Sequence, residues 1–199
     1  MRHIPHHRVL AIALLCVLAG CQPHSKSPAA PLEAPAPAVK TRAPYDISGM
    51  RVQTIGRTGF VYLATRTSMN DIAKPAGQMK TALGEAVSSG VLRPTGPMLF
   101  IYHDPSEDPA KPFDLEIGFP TDSENAPPGQ FKFRRLTPFR CATVIYRGPM
   151  KDIGQAYDRL IPQIIAARHV PSDQTRENYL SWKGPDSPNN VVQIEVGIH

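Results

Sequence analysis

From about residue 46 to residue 199, hydrophobic and polar positions alternate with two different periods, in an order that occurs twice. A period of two marks a half-buried strand, and apolar residues three and four apart mark one face of a helix. Met50–Gly56 and Phe60–Arg66 read as strands around Arg57-Thr58-Gly59. Ile72, Ala76, Met79, Leu83 and Val87 form one stripe, so a helix is expected between about Asn70 and Ser89. Pro75 suits an early helical position and Gly90 a stop. Pro97–His103 is a strand with Leu99 and Ile101 on one face and Met98, Phe100 and Tyr102 on the other. Phe113–Phe119 alternates cleanly, with Phe113, Leu115, Ile117 and Phe119 inward and Asp114 and Glu116 outward.

After a loop, Thr121–Gln130, the order recurs. Phe131–Leu136 and Arg140–Arg147 read as strands, and Lys151–Arg168 as a helix with Ile153, Tyr157, Leu160, Ile161, Ile164 and Ile165 on one side. Pro162 should kink that helix. Thr175–Trp182 and Val191–Ile198 are the last strands. An offset of 79 residues brings Phe100 onto Tyr179 and Leu115-Glu116-Ile117-Gly118 onto Ile194-Glu195-Val196-Gly197. A repeat this long implies two halves of one domain, about 50–121 and 130–198, rather than an array. The expected fold is α+β: duplicated strand-strand-helix-strand-strand halves, eight antiparallel strands in all, with pseudo-twofold symmetry and both helices on one face. The other face, or the seam between the halves, is left for a ligand.

The strand Thr175–Trp182 carries the candidate chemistry. Alternation puts Glu177, Tyr179 and Ser181 on one face, and Arg176, Asn178, Leu180 and Trp182 on the other, with Trp182 as core. A carboxylate beside an aromatic ring, if it lines a cleft, can pair with a cation flanked by aromatic faces or serve as a general acid. The 79-residue register adds Phe100, Tyr102 and Met98 as walls, with Tyr62 and Tyr146 from adjacent strands. Glu116 and Glu195 fall at equivalent positions in the two halves and read as outward-facing or as rim residues.

The N-terminal segment changes the charge picture. Met1–Gly20 combines Arg2 and Arg8 with the apolar run Val9–Leu18, too short to span a bilayer but suited to a signal peptide. It ends in Leu18-Ala19-Gly20-Cys21, which resembles a bacterial lipobox and implies lipid on Cys21. Gln22 after the cysteine favours the outer membrane facing the periplasm over inner-membrane retention. Residues 21–45 are a Pro/Ala-rich tether that cannot bury enough apolar surface to fold. The whole chain has 22 Lys and Arg against 17 Asp and Glu, whereas residues 46–199 hold 17 against 16. The net charge of +5 therefore belongs mostly to the signal and tether and does not argue for nucleic-acid binding. Cys141, inside an apolar strand pattern, is the one cysteine left to the domain and reads as core. His24, His103, His169 and His199 are too scattered for a metal site, so neither metal nor cofactor is expected.

Tyr146-Arg147-Gly148-Pro149 followed by Ile153, Tyr157 and Leu160, then Arg176-Glu177-Asn178-Tyr179-Leu180, and finally Val192-Gln193-Ile194-Glu195-Val196, together resemble the GyrI-like small-molecule-binding domain. Gly96–Tyr102 matches the corresponding strand of the first half. This domain is also the effector-binding module of AraC- and MerR-type regulators. The resemblance implies a cleft between the halves that takes lipophilic cations and flat organic molecules, with a carboxylate at Glu177 as its polar group. It also carries two alternatives: a hydrolase using Glu177 and Tyr179, and, because haem-binding SOUL proteins share the architecture, haem through His103 or His169. A signal and tether stand where the regulators carry a helix-turn-helix. A small organic ligand and the membrane are therefore the expected partners, and nucleic acid is not.

Overall fold

The computed structural model describes residues 43–199; the expected signal peptide, Cys21 and most of the expected tether lie outside the described residues. The chain order is β1 (Asp46–Ile47), β2 (Arg51–Ile55), β3 (Thr58–Thr67), α1 (Ala73–Ser88), β4 (Met98–His103), β5 (Phe113–Thr121), β6 (Lys132–Leu136), β7 (Phe139–Arg147), a 3-10 turn (Met150–Asp152), α2 (Gly154–Ala166), β8 (Pro171–Ser181) and β9 (Val191–Ile198). All the strands join one antiparallel sheet in the order β1-β7-β9-β8-β4-β5-β3-β6, with β2 also pairing β7. The two-residue β1 is the strand that periodicity does not announce.

The duplication is visible in the sheet. β4 and β8 meet at its centre, with Met98 opposite Tyr179, Leu99 opposite Asn178 and Phe100 opposite Glu177. This register maps onto itself under the 79-residue offset, so the pseudo-twofold axis passes through the Leu99–Asn178 pair. The offset does not extend outward. Phe100 lies opposite Ile117 but Tyr179 opposite Val192, which sets β5 and β9 at 75 residues. Glu116 and Glu195 are therefore not equivalent. The four-residue slip is even, so side chains keep their faces. The first strands of the halves are exchanged: β2 pairs β7 and β6 pairs β3.

Both helices lie on one face. α1 packs on β3 and β5 through Ala76, Met79, Leu83 and Ala86, against Val61, Leu63, Phe113, Leu115 and Ile117. α2 packs on β7 and β8 through Ala156, Leu160 and Ile164, against Val144, Tyr146 and the apolar residues of β9. Pro75 stands in the first turn of α1, where no intrahelical N–H bond is lost. Gly90 ends that helix at φ +75°. Pro162 does not break α2, which runs on to Ala166. Pro162 is exposed, so the carbonyl that its missing N–H leaves free can be solvated.

The other face of the sheet is not free. The links between β2 and β3 and between β6 and β7 are two residues each, which draws the ends of the sheet together. At Gly118 and Gly197 a Cβ would collide with Val61 and Tyr62, and with Ser172 and Phe139, so the strands can approach this closely only at glycine. Phe60, Leu99, Ile101 and Leu136 fill the concave side. So do the fully buried Cys141 and Glu195 and the buried Arg176, whose guanidinium lies 3.8 Å from the Phe139 ring centroid. This corrects the expectation of a vacant second face.

Candidate functional site

α1 packs on β3 and β5, and α2 packs mainly on β7 and touches the central β4–β8 pair only at β8, so most of that pair is left without a helix over it. A cavity of about 1220 Å³ opens there, floored by Phe100, Tyr102, Glu177 and Tyr179 and walled by the two helices. Small residues on the walls leave the cavity its width: Ala73, Ala76 and Gly77 on α1, and Gly154 on α2. The cavity is larger than the usual 300–1000 Å³ of a small-molecule pocket.

Glu177 is 5% exposed and is the one charged side chain in the cavity floor. Three phenols hold it. Tyr102 and Tyr179 each donate to Oε2 at 2.8 Å, and Tyr157 of α2 donates to Oε1 at 2.8 Å. The three come from three elements, β4, β8 and α2. An ionised carboxylate offers about four lone-pair positions, so one acceptor position on Oε1 remains. Burial pushes all three phenols well above the ordinary tyrosine value, and the Glu177 charge adds to it. They therefore stay protonated and remain donors across the physiological range. Phe100 and Tyr179 pack with ring centroids 4.7 Å apart, giving the floor an aromatic surface beside the charge.

The sequence-predicted residues divide by face and by helix cover. Glu177, Tyr179, Phe100, Tyr102 and Met98 all line the cavity. Tyr62 does not: it lies on the concave side, stacked on Phe60 with centroids 5.2 Å apart and with the Arg134 guanidinium 5.7 Å from its ring. Register decides this, because Tyr62 faces Gly118, which in turn faces Leu99 and not Phe100. Tyr146 is on the helix side but lies beneath α2, fully buried, its hydroxyl donating to the Pro149 carbonyl at 2.5 Å. Trp182 is not core. A bulge between Tyr179 and Ser181 resets the alternation, so Trp182 lines the cavity with its ring 5.8 Å from that of Tyr179, while Leu180 is 45% exposed. Neither Glu116 nor Glu195 rims the cavity, and neither His103 nor His169 lines it. Among the described residues no three His, Cys, Asp or Glu side chains stand together as a metal site.

Tyr157 is the member of the carboxylate cluster that sequence reasoning assigned to helix packing alone. Its signal was a phenol in an otherwise aliphatic stripe. A buried hydroxyl needs an acceptor, and an aliphatic core supplies none.

A family model described as a GyrI-like small-molecule-binding domain matches residues 50–198. No curated protein matches the chain. Among solved structures, that of EcmrR in a DNA complex is 17% identical with a TM-score of 0.62, over 78% of this chain and 57% of that one. The EcmrR C-terminal domain alone is 18% identical with a TM-score of 0.60, over 76% of this chain and 97% of that one. The chain thus spans little more than half of EcmrR but nearly all of its C-terminal domain. SAV2435, solved bound to tetraphenylphosphonium, is 14% identical with a TM-score of 0.55, over 76% of this chain and 94% of that one. A structure described as a hydrolase from Listeria innocua is 10% identical with a TM-score of 0.51, over 75% of this chain and 91% of that one.

Proposed function

The chain belongs to the GyrI-like small-molecule-binding family, and from that premise we propose that it captures an aromatic or cationic organic molecule in the β4–β8 cavity while held at the cell envelope by lipid on Cys21. The observation that supports this reading is the single buried carboxylate held by three phenols on an aromatic floor. Three of the acceptor positions of Glu177 are occupied, and one remains on a residue that lines the cavity. Around it, Phe100, Tyr179 and Trp182 offer faces for stacking or cation–π contact. A cation bound to SAV2435, whose fold is similar, is in keeping with this chemistry.

A thermal-shift screen of organic cations, aromatic acids and haem against the chain and its Glu177→Gln variant tests the reading. A ligand at a hundred times its Kd should add about 2.7 kcal/mol to the stability of the wild type, and much less to that of the variant. A panel that shifts neither protein would count against capture.

The hydrolase alternative takes its support from the Listeria structure and assigns proton transfer to Glu177. Capture is preferred because the tyrosines, pushed well above their ordinary value, are weak proton donors. Mass analysis of a bound hit after incubation separates the two: capture returns it unchanged, hydrolysis does not.

The envelope address rests on the lipobox and the Pro/Ala-rich tether. On this reading the domain works away from DNA, unlike EcmrR. Cys21→Ala should block lipid incorporation and release the protein from the membrane fraction. Retention of the variant in that fraction would remove the address.

A further inference from the structure

One charged wall residue has no role in this scheme. Lys80 projects from α1 into the lining of the cavity. Among the described residues no carboxylate makes an ion pair with it. Its Nζ instead lies 4.8 Å from the ring centroid of Trp182. Trp182 stands edge-on to Tyr179 at 5.8 Å, and the Tyr179 hydroxyl donates to Glu177 at 2.8 Å. A chain of contacts thus joins an ammonium on the wall to a carboxylate on the floor through two aromatic rings. Glu107, the other charged residue of the lining, is exposed on the loop after β4.

A ring face is a weaker partner for an ammonium than a desolvated carboxylate, because the charge-assisted hydrogen bond is the stronger contact. An acidic group on a ligand would therefore draw Lys80 away from Trp182. A ligand carrying only positive charge meets the opposite effect. It gains at Glu177 and is repelled by Lys80 on the wall of the same cavity, where solvent screens less than at an open surface.

We propose that Lys80 makes the cavity bipolar, selecting an aromatic ligand that carries both a cationic end and an acidic group over a simple organic cation. The inference rests on the capture reading and adds the class of ligand. The probes are rhodamine B, which joins a cationic aromatic system to a free carboxylate, and its ethyl ester, which lacks the acid. Both are titrated by fluorescence anisotropy into the full chain and its variants. The wild type should bind the acid about tenfold more tightly than the ester. Lys80→Gln should bring the ratio close to one, and Lys80→Arg, which keeps the charge, should retain it. Glu177→Gln should weaken both dyes and leave their ratio in place. Equal binding of the two dyes by the wild type, or an unchanged ratio in Lys80→Gln, overturns the bipolar cavity and leaves capture standing. Failure of both dyes to bind the wild type overturns both.

Discussion

At Glu177, three hydroxyls from separate elements converge on one carboxylate; all three stabilise its charge, and Tyr157 also ties α2 to the sheet. Tyr157→Phe removes the donor from α2 and leaves the ring. A hydrogen bond to a charged group is worth roughly 1.5–3 kcal/mol, so this variant should lose stability of that order. Chemical denaturation measures it, and an unchanged midpoint would mean that the bond contributes nothing net. Cys141 illustrates the opposite case. Burial, and then the nearby Glu195 charge, push its thiol up to about 12. A thiol reagent at neutral pH should therefore label Cys141 only as fast as the protein unfolds, and rapid native-state labelling would contradict its burial. Burial also raises Glu195 above the ordinary carboxylate value, against the lowering effects of Gln193 and Arg176. For an acid shifted upward, the stabilising contribution is complete below the unfolded value and is lost as pH rises through the folded one. Between those two values the wild type should lose stability with rising pH, and Glu195→Gln should flatten that slope in pH-dependent denaturation.

At the scale of the element, the helices and strands follow their patterns, and the departures have local causes. α1 buries Ala76, Met79 and Leu83 of the stripe read from sequence, with Ala86 buried in the last turn where Val87 is only partly so. α2 tolerates Pro162 because that residue sits on its exposed side. An interior proline costs about 3 kcal/mol relative to alanine, and restriction of the unfolded chain offsets up to about 1 kcal/mol of it. Pro162→Ala should therefore stabilise the protein by roughly 2 kcal/mol, read as a shift in denaturation midpoint. A loss of stability would mean that Pro162 makes contacts the helix needs. β8 is where alternation fails. One extra residue between Tyr179 and Ser181 carries Trp182 into the cavity, and a strict period-two reading cannot anticipate an insertion that depends on the partner strand.

For the whole molecule, the two short links close the sheet over its own concave side and leave the helix side split at the seam. Phe139 begins the strand after one such link, is 8% exposed, and lies over Arg176. Phe139→Ala should cost about 3–5 kcal/mol, from the cavity left behind and from the loss of the guanidinium's ring partner. Equilibrium unfolding would register it, and a change below about 1 kcal/mol would show that the closed face does not depend on this residue. The cavity is likewise a property of the whole fold. It exists because the two helices, related by the duplication, pack mainly over the outer strands on either side, and α2 reaches the central pair only at β8.

The sequence by itself determined the two periods, the duplication, the central 79-residue register and the faces of β4 and β8. These depend on the alternation of side chains along a local backbone, which any ordered strand or helix must obey. That was enough to bring Glu177, Tyr179, Phe100, Tyr102 and Met98 to one surface. Tertiary structure alone decided which surface it was, since both faces of a curled sheet are apolar enough to be core. It placed Tyr62 on the wrong side and Tyr146 beneath a helix, returned Trp182 to the cavity through a bulge, and brought Tyr157 to Glu177 from 20 residues away in the chain. Those placements depend on strand register, link length and helix packing. They are energies of contact between segments that the fold brings together, which the alternation along one segment does not encode.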